Sequence, residues 1–233
     1  MRLVTLPGVF RPISDSRFLA DLLREQTLPP RASVLDLCTG SGILAVTAAM
    51  RGARSVTAVD VSRRALLTAR LNARLNGVRV RTLRGSLFEP VGDHRFDAIV
   101  SNPPYVPSES DDLPDRGPQR AWEGGRDGRL ILDRLIEQAP DHLRPGGFLL
   151  LVSSSVLGTD RTLRGLTEGG LEAEVVARRR GPLGPLMTAR VHALEADGLL
   201  EPGQRHEDVV VIRARKPARE GWRLPTDAEL APA

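Results

Sequence analysis

The sequence is poor in cysteine, lysine and aromatic residues, and each shortage removes a class of protein. Cys38 is the single cysteine of 233 residues, so no internal disulfide can form, and a reducing, cytoplasmic location is expected. Aromatic residues make up 3% of the chain, too few for the stacking platform of a single-strand nucleic-acid binder. Lys216 is the only lysine; the other basic residues are arginines scattered among 29 acidic ones. The net charge of +4 therefore supports only a modest preference for anionic partners. The one dense basic run, Arg178-Arg179-Arg180, is too short to define a groove. No apolar run approaches the ~18–20 residues that cross a bilayer. Pro7 and Gly8 interrupt the start before a signal-peptide core could form, so no membrane association is expected. No Cys/His cluster suggests a metal, and His94, His142, His192 and His206 show no motif spacing.

What is present is the composition of a globular α/β protein: 41% hydrophobic and 27% charged residues, in a chain long enough for one such domain and short for two. Apolar runs at 33–37, 56–60, 78–83, 96–101 and 148–153 read as strands. Helical patterns at 14–26, 43–50, 62–76 and 128–143 lie between them; Ser14-Asp15-Ser16 supplies cap residues to the first, and Pro145-Gly146-Gly147 stops the last. This alternation predicts a doubly wound, mostly parallel seven-stranded sheet. Its last two strands, near 172–178 and 208–213, form an antiparallel C-terminal hairpin. A single domain over 1–215 is expected, with an insert at about 181–204 and a frayed tail over 216–233.

Within that frame, the apolar run Phe96-Asp97-Ala98-Ile99-Val100-Ser101 ends in Asn102-Pro103-Pro104-Tyr105. Consecutive prolines cannot donate hydrogen bonds and restrict the residues before them, so the strand stops and the chain stiffens. Left at the strand end are a carboxamide, a carbonyl without a strand partner and an aromatic ring. These suit a planar nitrogen such as an amide or an aromatic amine: the Asn102 oxygen and one of the proline carbonyls can each accept one N–H while the Tyr105 ring packs on the flat face. Strand C-termini are also where open α/β sheets bind ligands.

The turn Asp36-Leu37-Cys38-Thr39-Gly40-Ser41-Gly42 follows the first strand. Its glycines permit a tight turn and bring backbone N–H groups close to a ligand, but the spacing departs from a dinucleotide fingerprint. Asp60, ending the second strand, is placed to take both hydroxyls of a ribose. Asp36 is a charge inside an apolar strand; it either accepts from loop amides or receives a cationic ligand group. No lysine follows the loop as in a phosphate-binding loop. A cationic, adenosine-bearing cofactor without a pyrophosphate fits best.

With these residues in place the sequence resembles class I S-adenosylmethionine-dependent methyltransferases, and within them the HemK-type family that methylates the side-chain amide of glutamine, typically in peptide release factors. The resemblance covers about residues 8–155. It rests on Gly8-Val9-Phe10-x-Pro12 with Ser14-Asp15-Ser16, on residues 35–42, on Asp60, on Asn102-Pro103-Pro104-Tyr105-Val106 and on the segment from Ala121 to Gly128. That last segment is similar to one in the compact, HemK2-like branch, and the residues before the first strand are too few for an N-terminal recognition domain. The resemblance implies that Ser16 contacts the cofactor and that Asp36 and the Cys38 backbone hold its amino-acid end. It also implies that Asp60 binds the ribose, that Ser86 and Leu87 meet the adenine, and that Asn102, Pro103 and Tyr105 grip the acceptor amide. Ser86 stands where the family usually has Asp. Two readings of the insert stand: it covers the acceptor pocket, or its helix packs Leu186, Val191 and Leu194 on the sheet edge.

The expected activity is therefore an S-adenosylmethionine-dependent N-methyltransferase acting on glutamine N5 of a protein such as a release factor. Alternatives are an adenine-N6 methyltransferase on nucleic acid, a small-molecule N-methyltransferase, and a cofactor-binding module without catalysis. The need for a partner subunit stays open at this level.

Overall fold

The computed structural model describes residues 1–11 and 14–218; Pro12 and the 219–233 part of the expected tail lie outside the described residues. Seven strands form one sheet in the order β3-β2-β1-β4-β5-β7-β6. These are β1 (Ser33–Leu37), β2 (Ser55–Asp60), β3 (Arg81–Arg84), β4 (Phe96–Ser101), β5 (Leu143–Ser154), β6 (Glu172–Pro182) and β7 (His206–Arg215). The pairings among β1–β5 are parallel, whereas β7 runs antiparallel between β5 and β6. The most apolar runs take the centre because a parallel strand there must be covered on both faces.

Alternation along each strand assigns the faces. Val34, Val56, Ala98 and Val100 meet Leu19 and Leu23 of α1 (Ser14–Glu25) and Ile43, Leu44 and Ala48 of α2 (Ile43–Met50). Leu35, Leu37, Ile99, Leu149 and Leu151 meet Leu132 and Leu135 of α4 (Leu130–His142) and Leu166 of α5 (Thr159–Glu168) on the opposite face. The helix α3 (Arg63–Leu75) packs beside α2, against β2 and β3. The crevice between the carboxyl ends of β1 and β4, where the connection reverses direction across the sheet, is the expected ligand position of such an architecture.

Several boundaries differ from the sequence expectations. Pairing of β3 begins only at Arg81, opposite Thr57, because Val78 is held by the C-terminus of α3 through its N–H to the Ala73 carbonyl (3.0 Å). Pro145-Gly146-Gly147 is not a stop outside the sheet: it lies within β5, where the register against β4 shifts between Phe96 and Ala98. A side chain on Gly147 would press on the Asp97 and Phe96 carbonyls. The helix α5 was not anticipated; only Thr162 and Leu166 of its ten residues are buried, a weak periodic signal. The arginine run lies inside β6, where Arg178 pairs with Asp208 and Arg179 with Asp15. Lys216, placed in the frayed tail by composition, extends the sheet instead, exchanging backbone bonds with Gly146 and Gly147. The insert holds α6 (Pro185–Thr188) and α7 (Val191–Ala196) and builds a third apolar cluster from Val106, Val156, Leu183, Met187, Val191, Leu194 and Leu200.

Candidate active site

A cavity of about 1240 Å³ lies over the carboxyl ends of β1, β2 and β4. It brings together every residue singled out in the sequence except Asp36 and Gly42, which support its floor: Ser16, Cys38, Gly40, Asp60, Ser86, Leu87, Asn102, Pro103 and Tyr105 all line it.

On the side of β1 and β2, Gly42 acts through close approach. Gly42 has φ +79°, and a Cβ there would stand 2.7 Å from the Ala69 Cβ of α3, so the turn into α2 can form only without a side chain. Cys38 (φ 56°) and Leu87 (φ 46°) hold left-handed conformations unusual for residues with side chains, and both face the cavity. Asp60 accepts from the N–H groups of Gly40 (2.9 Å) and Ser62 (2.8 Å). Burial raises its pKa, opposed by those N–H groups and by the Arg120 charge. Asp36 is fully buried. Its Oδ2 accepts from Thr39 Oγ1 (2.5 Å) and the Ala45 N–H (2.9 Å), while Oδ1 has no partner among the described residues. Burial pushes the carboxyl to about 7. Of the two earlier readings, the structure shows the first: one oxygen accepts from the chain's own Thr39 hydroxyl and Ala45 N–H; a carboxylate in that state favours a cation beside its other oxygen. Burial, with Asp60 and Asp36 nearby, pushes the Cys38 thiol up, so it stays protonated and is no nucleophile. Ser86 lines the wall with its N–H donated to Glu89 Oε2 (3.2 Å).

On the β4 side, Asn102 Nδ2 donates to Ser16 Oγ (2.9 Å), which fixes the orientation of the carboxamide. Its Oδ1 is buried and has no partner among the described residues. Such an acceptor is costly to leave empty and is suited to an incoming N–H. Tyr105 packs against all three apolar clusters, and its hydroxyl donates to Asp15 Oδ2 (2.6 Å). The segment after the polar loop explains its own glycines. A Cβ on Gly128 would collide with the Tyr105 carbonyl oxygen, and one on Gly124 would stand 3.0 Å from the Pro104 carbonyl. Val106 donates to the Trp122 carbonyl (2.7 Å) and Gly124 to the Val106 carbonyl (2.9 Å), so residues 122–128 are laced to the back of the Asn-Pro-Pro-Tyr turn. The insert contributes Leu183, Leu186 and Met187 to the wall beside Tyr105 and Trp122 while Val191 and Leu194 are buried beneath; it both lines the pocket and packs.

Among the lining residues not singled out in the sequence are four charged ones, Asp15, Arg120, Arg179 and Glu207. Asp15 was read only as a cap, yet it sits in the first turn of α1 and binds Tyr105 and Arg179. Arg179 was part of the discounted run, Arg120 of a polar loop, and Glu207 carried no motif. Their partners are distant in sequence, Arg179 and Asp15 by 164 residues, so no local spacing could reveal them.

Residues 1–114 match the family model of the methyltransferase small domain. A Methanocaldococcus jannaschii protein named as a proposed protein N5-glutamine methyltransferase is 35% identical over 78% of this chain and 90% of its own length. The chain is a HemK-type methyltransferase. It also matches the release factor glutamine methyltransferase of Geobacter sulfurreducens, at 38% identity over 64% of this chain, and spans 54% of that longer protein. Among solved structures, the E. cuniculi complex responsible for methylation of the eRF1 termination factor superposes with a TM-score of 0.60 at 25% identity, covering 90% of this chain and 99% of that one. Enzymes of this class draw the methyl group from S-adenosylmethionine. The residues present fit that cofactor by their acceptors: the unpartnered buried carboxylate oxygen of Asp36, beneath the cavity floor, suits an ammonium group, and the strand-end carboxylate of Asp60 in the lining suits a diol. No helix among the described residues is long and apolar enough to cross a membrane.

Proposed function

We propose that this HemK-type methyltransferase modifies the side-chain amide nitrogen of a glutamine in a protein of the translation machinery, with a peptide release factor as the first candidate. The observation that carries this reading is the Asn102-Pro103-Pro104-Tyr105 turn lining the cavity: Asn102 Nδ2 donates to Ser16, and its buried Oδ1 has no partner among the described residues. Two acceptors and a flat wall match the two N–H bonds and the planar face of a primary amide.

Asp36 and the Cys38 backbone would hold the amino-acid end of S-adenosylmethionine, Asp60 its ribose, and Ser86 and Leu87 its adenine, with Gly40, Gly42 and Ser16 shaping the approach. When bound, the cofactor would supply an electrophilic methyl on a sulfonium, so that the acceptor nitrogen would gain a C–N bond as the C–S bond electron pair went to sulfur. An amide nitrogen is a weak nucleophile because its lone pair is delocalised. Asn102 and Pro103, by accepting both N–H bonds, return electron density to nitrogen and hold it in line. Alignment of this kind contributes several kcal/mol at the barrier. The surplus proton leaves after transfer, so no strong base is required. Tyr105 remains a neutral phenol, since burial and Asp15 keep its pKa well above the usual value.

The test is incubation with methyl-labelled S-adenosylmethionine and, in separate reactions, purified release factors, ribosomal proteins, tRNA and DNA, followed by mass mapping of the labelled atom. Label on a glutamine side chain is the expected result. Label confined to nucleic acid would refute the reading.

A further inference from the structure

Tyr105 ends the acceptor turn, and what fixes its ring comes from two remote segments. Its hydroxyl donates at 2.6 Å to Asp15 Oδ2 in the first turn of α1. The other oxygen, Oδ1, receives Arg179 Nη2 from β6 at 2.7 Å, and the Arg179 guanidinium lies 4.8 Å from the centre of the Phe18 ring one turn along α1. Asp15 is buried, at 8% exposure, so its charge stands in a low-dielectric setting where a bond between an ionised acceptor and a phenol is strong. The adjacent residue, Ser16, is the one that orients the Asn102 carboxamide. One helical turn therefore holds both polar side chains of the Asn-Pro-Pro-Tyr quartet, across 86 and 90 residues of sequence.

We propose that Asp15, anchored by Arg179, is a positioning residue for methyl transfer: it locks the Tyr105 ring through its hydroxyl, so that the first turn of α1 clasps the acceptor pocket. Asp15 touches neither reacting atom. Its effect passes through the ring that forms one wall for the acceptor amide, and this part rests on the glutamine reading above. The charged groups acting on the phenol are Asp15 and Glu207, which hold it protonated, and Arg179, which opposes them. Because the proton on the hydroxyl is what binds Asp15, the clasp persists through neutral pH.

The chain contains one tyrosine, so fluorotyrosine labelling yields a single fluorine resonance that reports Tyr105 alone. In the full-length protein that resonance is expected to be one narrow line. In Asp15→Ala it shifts and broadens as the ring samples more than one orientation; Asp15→Asn, which preserves side-chain size, is the second variant should the alanine protein fold poorly. With an unmethylated release factor that the unmodified enzyme methylates as acceptor, Asp15→Ala and Tyr105→Phe should each lower kcat roughly 10- to 100-fold, the loss expected for one charge-assisted hydrogen bond. Cofactor Kd should stay within about twofold, and the double variant should be no worse than the weaker single one, because both remove one interaction. An unmoved fluorine line in a folded Asp15 variant, multiplicative losses in the double variant, or cofactor affinity falling in step with turnover would overturn the proposal. If no protein acceptor is methylated by the unmodified enzyme, the glutamine reading fails, while the fluorine line still decides the role of Asp15.

Discussion

Cofactor binding should be linked to a proton at Asp36, and replacing that residue should move stability and affinity in opposite directions. The carboxyl is fully buried with one oxygen unpartnered, and burial raises its pKa from 3.8 to about 7. The sign follows from an acid whose folded pKa exceeds its unfolded one. The unliganded protein has the full benefit of the neutral carboxyl below about pH 4 and loses it as pH rises to about 7. At 1.36 kcal/mol per pKa unit, the loss reaches an upper bound of about 4 kcal/mol. In Asp36→Asn the amide oxygen can still accept from Thr39 and Ala45, while Nδ2 takes the place of the unpartnered oxygen and costs roughly 1–3 kcal/mol. The variant without ligand should thus equal or exceed the parent in stability at about pH 8, with Tm higher by about 2–4 °C per kcal/mol gained. Its affinity for S-adenosylmethionine should fall by two orders of magnitude or so, since a buried ammonium is left without a counter-charge. For the parent, affinity should climb about tenfold per unit as pH approaches 7, then decline once the ligand's own α-amino group deprotonates above about pH 8. Calorimetry at about pH 6 in two buffers of different ionisation enthalpy should register close to one proton released per cofactor bound. Flat affinity between about pH 5.5 and 7 together with no proton release would refute the reasoning, as would an Asn variant that binds normally.

Three further outcomes follow from the same geometry. Asn102→Ala should lower methyl transfer by roughly 100-fold or more with cofactor Kd, followed calorimetrically, within about threefold; near-normal turnover would remove Asn102 from the mechanism. Asp60→Ala should weaken S-adenosylmethionine binding roughly 10- to 100-fold by deleting a charged acceptor, and an unchanged Kd would count against the ribose assignment. Gly128→Ala combines φ +72° with a collision against the Tyr105 carbonyl, whereas Gly170→Ala, at φ +80°, meets nothing. Urea unfolding should show the first losing more than ~3 kcal/mol and the second only ~1–2 kcal/mol; equal losses would mean that the 122–128 segment does not press on the acceptor turn.

The architecture, and most of the candidate residues that the fold gathers around the cavity, were legible in the sequence, because they are carried by local patterns. Buried parallel strands are apolar throughout, and their ends are marked by abrupt chemistry: Asp36 to Gly42 after β1, Asp60 after β2, and Asn102-Pro103-Pro104-Tyr105 after β4. Composition placed Lys216 in a tail and Pro-Gly-Gly outside the sheet, and misjudged both, since a backbone ladder depends on partners and not on side-chain type. Tertiary structure alone decided which groups are left unsatisfied. The Asn102 carboxamide is held by Ser16, 86 positions earlier, and the Tyr105 ring by Asp15 and, through it, Arg179. Hydrogen bonding pairs groups by proximity in space, so a reactive site's free valences appear only once the chain has closed around them.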